Sequence, residues 1–247
     1  MKSTVPLLPE SPDIFHAVRA RRLVHAVAMR SLLAFVLVCF VLLCAARAEP
    51  PAANRFEKAI AAFELDDQAD PPAPGGILFT GASGIRFWKT LAQDFPGLPV
   101  LNRGFGGSQL ADSLHFLERV TLRYRPRTIV IQAGGNDLNA GKTPAQVLAD
   151  FKTYVEKTRA VLPEVKIVLL NIGPSPKRWA QRKTQQQANR LVRDYIAAGK
   201  NLVYVDLWPD SLGADGLPKP ELYVEDQLHP SAAGYALRTK LLRPHVR

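Results

Sequence analysis

Cysteine is nearly absent: the 247 residues hold two, Cys39 and Cys44, and both fall in one apolar run near the start. A disulfide framework is thereby excluded for the rest of the chain. No internal repeat is visible. Composition is ordinary, at 47% hydrophobic and 22% charged residues, which excludes a disordered or collagenous chain. The length suffices for one sizeable core. A long basic block with interleaved aromatics is also missing. The formal charge of +10 comes from 32 basic and 22 acidic side chains. Of these, Lys2, Arg19, Arg21, Arg22, Arg30 and Arg47 stand against only Glu10 and Asp13 in residues 1–48. Without that segment 26 basic and 20 acidic residues remain. This is a moderately basic, solvated surface, and nucleic acid is not expected as a partner.

What is present begins with an address. Leu32 to Cys44 reads LLAFVLVCFVLLC, thirteen apolar residues without a charge. A membrane span needs about 20. The run fits the apolar middle of a secretory signal, with Arg30 before it and Ala46-Arg47-Ala48 after it. Cleavage after Ala48 would start the mature chain at Glu49. A signal of 48 residues is long, and starting at Met29 gives it ordinary proportions, so Met29 is the expected start. An uncleaved anchor through residues 32–44 ranks second. It would allow transient membrane association. A lipid-modified Cys44 ranks third, because Leu43 stands where a small residue is usual. The expected organisation is therefore residues 1–48 as signal or anchor and 49–247 as one exported domain, periplasmic or secreted. Oligomeric state is left open.

After Pro50 to Asn54, the spacing of Phe56, Ile60 and Phe63 predicts a helix over 54–66, stopped by the Pro- and Gly-rich stretch 70–76. Strands are then expected at Ile77–Thr80, from Val100, at Thr128–Ile131, Lys166–Leu170 and Leu202–Val205. Helices are expected over 85–94, 109–124, from Thr143-Pro144 to about Leu162, over 179–199 ended by Gly199, and over 231–242. The strands lack polar alternation, which suits a parallel sheet buried on both faces. Alternating strands and helices mean an α/β sheet with right-handed crossovers, whose function sits in loops after the strands.

Four such loops carry candidates. The first strand leads into Gly81-Ala82-Ser83-Gly84, where a serine hydroxyl is exposed at a strand-to-helix turn; alone, Ser83 would more often be a helix cap. Ile85 occupies the second glycine position of a G-x-S-x-G elbow. The second strand leads into Asn102-Arg103-Gly104-Phe105-Gly106-Gly107, bare backbone suited to oxyanion donors; the dinucleotide pattern G-x-G-x-x-G is absent. The third leads into Gly134-Gly135-Asn136-Asp137, and Asn136 can offer an amide. Past the fifth comes Asp226-Gln227-Leu228-His229-Pro230. There a carboxylate three residues before an imidazole can hold its Nδ1–H and leave Nε2 as a base. Each loop has an ordinary structural explanation, but folding does not require all four together.

In this combination the chain resembles the SGNH hydrolase superfamily, also called the GDSL-type esterase/lipase family, over roughly residues 54–247. The matching blocks are GASGI, NRGFGG, GGND and DQLHP, and the stretch Asn171 to Trp179 resembles a loop of bacterial members. The resemblance implies a flavodoxin-like three-layer α/β/α sandwich with a five-stranded parallel sheet. It implies Ser83 as nucleophile, His229 as base and Asp226 as its orienting acid. Ser83 and Gly107 N–H and the Asn136 amide would hold the oxyanion, with no metal or organic cofactor. Ala82 departs from the aspartate frequent in the family's first block. The expected activity is hydrolysis of a small-molecule, glycan or lipid ester through an acyl-enzyme. An acyltransferase of envelope glycans or lipids, or a non-catalytic binding module, are the alternatives. Trp179, Trp208 and Phe105 are candidates for lining the pocket; Trp88 is expected to pack and His115 to be structural or exposed.

Overall fold

The computed structural model describes residues 55–246. The predicted signal, its exit at 50–54, Met29 and both cysteines lie outside them. Five strands form one sheet in the order β2-β1-β3-β4-β5, all parallel. The elements in chain order are α1 (Glu57–Ala69), β1 (Ile77–Gly81), α2 (Ser83–Arg86), α3 (Leu91–Asp94), β2 (Val100–Gly104), α4 (Leu110–His115) and α5 (Leu117–Val120). Then follow β3 (Thr128–Gln132), α6 (Gly135–Asn139), α7 (Pro144–Val161), β4 (Lys166–Leu170), α8 (Arg182–Ala197), β5 (Leu202–Val205), α9 (Trp208–Ser211) and α10 (Ala232–Leu242). This is the expected three-layer α/β/α sandwich.

Side-chain alternation along each strand builds the layers. Ile129, Ile131, Ile167 and Leu169 point to one face and pack against Val147, Phe151 and Val155 of α7 and Ala188, Val192 and Ile196 of α8. Phe79, Val130, Val168 and Leu170 point to the other, against Ile85, Trp88, Leu91 and, from α10, Tyr235 and Leu242. Both faces are covered, so the middle residues of the central strands are apolar without alternation. A third cluster, Phe56, Ile60, Phe105, Phe116 and Val120, seats α1. Buried Asp67 of α1 accepts from both Arg103 and the Tyr124 hydroxyl and fixes the helix to β2.

Thr143 caps α7 by accepting from the Gln146 N–H, with Pro144 in the first turn, as predicted. Three predicted helices differ. Residues 85–94 hold two short helices, because Trp88 turns into the core and its indole donates to Asp94 at 2.6 Å. The stretch 109–124 breaks at Phe116 and at buried, β-branched Thr121, whose backbone leaves helical values. Residues 176–181, Trp179 included, form a 3₁₀ turn before α8. Gly199 does not supply the left-handed stop of α8; that conformation falls to Asn201 at φ 54°. A side chain at Gly199 would lie 2.5 Å from Leu202 Cδ1, so the glycine serves packing instead.

Candidate active site

Ser83 stands at the mouth of β1 because that strand cannot go elsewhere. All five residues of β1 are buried. At its end the N–H of Ala82 bonds the Gln132 carbonyl of β3, and the Gly81 carbonyl accepts from Phe105 after β2. Gly81 takes φ +116°, and a Cβ there would sit 2.1 Å from the Gln132 carbonyl oxygen. Only glycine fits this turn. Ile85, where an elbow motif would have glycine, is fully buried against Gly104. Ser83 opens α2, and the residue in the cap position is Ala82. The Ser83 N–H therefore has no intrahelical acceptor.

The hydroxyl meets the imidazole across 146 residues of chain: Ser83 Oγ lies 2.8 Å from His229 Nε2. Nδ1 of His229 lies 2.5 Å from Asp226 Oδ2. The other oxygen of Asp226 accepts from the N–H groups of Leu228 and His229, both at 2.9 Å. That local turn requires a left-handed residue, and Gln227 supplies it at φ +59°. The Gln227 carbonyl accepts from the Lys177 N–H, and the His229 carbonyl from Val224. The backbone N–H of His229, above all, then its Nδ1–H and the Leu228 N–H, lower the Asp226 carboxyl to about 2. Pro230 precedes the last helix, which Ser231 caps by accepting from the Gly234 N–H. The ring of exposed Phe87 stands edge-on to His229 at 4.9 Å between centroids.

Asn136 lies in the first turn of α6, a helix absent from the sequence reading, entered through Gly134 at φ +97°. Its Nδ2 donates to the Ser108 carbonyl at 3.0 Å and its Oδ1 accepts from Arg178 at 2.9 Å. Arg178 thereby fixes which end of the amide is NH2. Beside it, fully buried Asp137 accepts from the Leu110 N–H and from Lys142, tying α4 to α6. Gly107 takes φ +81°, and among the described residues nothing accepts its N–H. Ser83, Asn136 and His229 share one cavity of about 100 Å³, with Arg178, Tyr223 and Arg238 also in its wall. Gly107 stands outside that wall, on the loop whose neighbour Gly106 approaches Ser83 Cβ.

The family follows from the sequence itself. Residues 72–237 match the GDSL-like Lipase/Acylhydrolase family. The chain belongs to that family. It is accordingly a carboxylic ester hydrolase. No curated protein matches the sequence. Solved structures share the fold. A protein of Streptococcus pneumonia named for platelet activating factor is 21% identical, with TM-score 0.69 over 90% of this chain and 99% of that one. A GDSL-like lipase of Bacteroides thetaiotaomicron is 18% identical, with TM-score 0.64 over 76% and 96%. An acetylxylan esterase of Geobacillus stearothermophilus is 20% identical, with TM-score 0.56 over 69% and 94%.

The aromatic candidates lie elsewhere than the cavity. Phe105 is in the α1 cluster, and Trp208 is buried with its indole donating to the Ile172 carbonyl; Trp179 leans on Trp208. Trp88 packs in the core and His115 is exposed. Sequence reasoning missed Arg178, Tyr223, Arg238 and Phe87. Arg178 at least falls in the stretch 171–179, already marked by its likeness to a family loop. A larger cavity of about 480 Å³ opens beside Phe63, Arg86 and Asn102, away from Ser83 and His229. Size is the usual guide to a site, but the hydrogen-bonded line of Ser83, His229 and Asp226 outweighs it here.

Proposed function

We propose that this is an exported serine esterase in which Ser83 attacks, His229 carries the proton and Asp226 orients His229. The observation that supports it is the continuous hydrogen-bonded line from hydroxyl through imidazole to carboxylate, open to a cavity. A carboxylate only accepts, so Nδ1 holds the ring proton and Nε2 receives the hydroxyl. As Oγ bonds the ester carbonyl carbon, its proton passes to Nε2 and Asp226 stabilises the imidazolium. Expulsion of the alcohol takes that proton and leaves the acyl-enzyme. Water then repeats the sequence, releasing the acid and restoring Ser83.

The developing oxyanion takes hydrogen bonds from the N–H groups of Ser83 and Gly107 and from the Asn136 amide. One Asn136 proton is engaged by Ser108 and the other is left for substrate. The cavity of about 100 Å³ has room for several waters, at about 10–15 Å³ each, and so for a short acyl group. Acetylated carbohydrate is the first substrate class to try, acyl lipid the second. The name of the Geobacillus neighbour favours the same order.

Export rests on the charge-free run at 32–44 and the small residues Ala46 and Ala48. Protein recovered from the periplasm or medium should begin at Glu49; an intact leader in the cytosol would overturn export. A fluorophosphonate probe should label the wild type and not Ser83→Ala. Near-normal hydrolysis of p-nitrophenyl acetate by Ser83→Ala would overturn the mechanism.

A further inference from the structure

Two guanidinium groups, Arg178 and Arg238, line the cavity that holds Ser83 and His229. Elsewhere Arg103 is matched with Asp67 and Arg119 with Glu57 and Glu64, while half-buried Arg159 and Arg182, away from the cavity, bond the Lys200 and Trp179 carbonyls. The two cavity arginines also lack an acid. Among the described residues Arg178 bonds the Asn136 amide oxygen, Arg238 bonds the Gly234 carbonyl at 3.3 Å, and neither pairs with a carboxylate. Nε of Arg238 is buried without any acceptor.

The ionisable neighbours of Arg238 are the phenols of Tyr223 and Tyr235. Burial pushes both phenols up to about 12, so they stay neutral and cannot serve as counterions. Desolvation lowers Arg238 to about 10, which leaves it charged near neutral pH. A desolvated cation without a counterion is unfavourable. Two of them on one small cavity describe a site whose negative charge arrives with the ligand.

We infer that the ester hydrolysed here carries an anionic group, a carboxylate or a phosphate, received by Arg238 and Arg178 beside the reacting carbonyl. This rests on the reading of the Ser83 cavity as the ester site. Guanidinium matches both anions, since it presents parallel N–H donors to two oxygens. The anion can ride on the acyl part or on the alcohol. A competing use of the same charges is to stabilise the oxyanion of any ester, which would act on neutral and anionic substrates alike.

Two substrate pairs separate these cases. p-Nitrophenyl hydrogen succinate against p-nitrophenyl butyrate places the charge on the acyl part; acetylglycerol phosphate against monoacetylglycerol places it on the alcohol. The wild type should prefer the anionic member of one pair by about tenfold or more in kcat/KM, the effect of a charge-assisted hydrogen bond. The pair that responds names the source. Arg238→Gln should erase that preference mainly through KM, while Arg238→Lys keeps part of it. No preference in either pair overturns the inference without a variant, and so does an equal loss on both members in Arg238→Gln. A wild type that hydrolyses none of the four and escapes the fluorophosphonate probe overturns the esterase mechanism itself.

Discussion

Ser83 and His229, the proposed nucleophile and base, are held by opposite means. Ser83 follows a strand buried at all five positions, and its turn is squeezed between β2 and β3 so tightly that Gly81 admits no side chain. His229 follows an exposed stretch, 224–227, shaped by one carboxylate gripping two N–H groups and by one left-handed residue. Core packing aims the first group; local turn chemistry aims the second. A site can thus gain rigidity on one side from the whole fold and on the other from four residues. Damage to each side should differ in kind.

Asp226→Asn tests this most sharply. Asparagine retains an oxygen for the two N–H groups, so the turn survives. The carboxylate charge facing Nδ1 is lost. We expect kcat to drop about 10⁴-fold, the scale of the equivalent change in a serine protease, with thermal unfolding almost unmoved. A large fall in melting temperature would show that the turn depends on more than its hydrogen bonds. Asn136→Ala should cost about 10²–10³ in kcat with little change in KM. Arg178→Ala, which frees the amide to rotate, should reproduce part of that loss in kcat.

On the packed side, Gly81→Ala should destabilise the domain by about 3 kcal/mol, combining a strained φ with a backbone clash. Urea unfolding measures it, and a change under 1 kcal/mol would show that the strand end is softer than described. On the turn side, Gln227→Val should cost about 1–2 kcal/mol through its left-handed φ, whereas Gln227→Gly should be neutral or slightly stabilising. The smallest effect is the titration of Asp226. Its folded carboxyl lies at about 2, below its unfolded value, so its contribution to stability is present above pH 4. It is lost only as pH falls toward 2. Circular dichroism should therefore report an intact fold down to about pH 4, with Asp226 still ionised, and unfolding between neutrality and that pH would contradict this.

Much of this was legible before the structure. The strands at Lys166–Leu170 and Leu202–Val205 match their predicted limits, because continuous apolar runs bounded by polar loops leave little choice. The capped start of α7 was equally plain, since its bonds are local. What escaped depends on distant partners. Periodicity over 85–94 could not show that Trp88 would leave the helix for the core and bond Asp94. Nor could it show α6, whose first turn carries Asn136, because GGND reads locally as a turn. The four site loops were found because their residue types are unusual together. Arg178 and Arg238 were not, since an arginine in sequence reads as a solvated charge; only the folded wall shows them without acids.

The span of 146 residues between Ser83 and His229 has a consequence for biosynthesis. A ribosome-bound fragment can form the first strands and display the serine, yet it holds no base to activate it. Under the proposed mechanism, hydrolytic power appears in one step, when the last stretch of polypeptide docks. Catalytic recovery after dilution from denaturant therefore times completion of the tertiary structure, while far-ultraviolet signals register only its early parts.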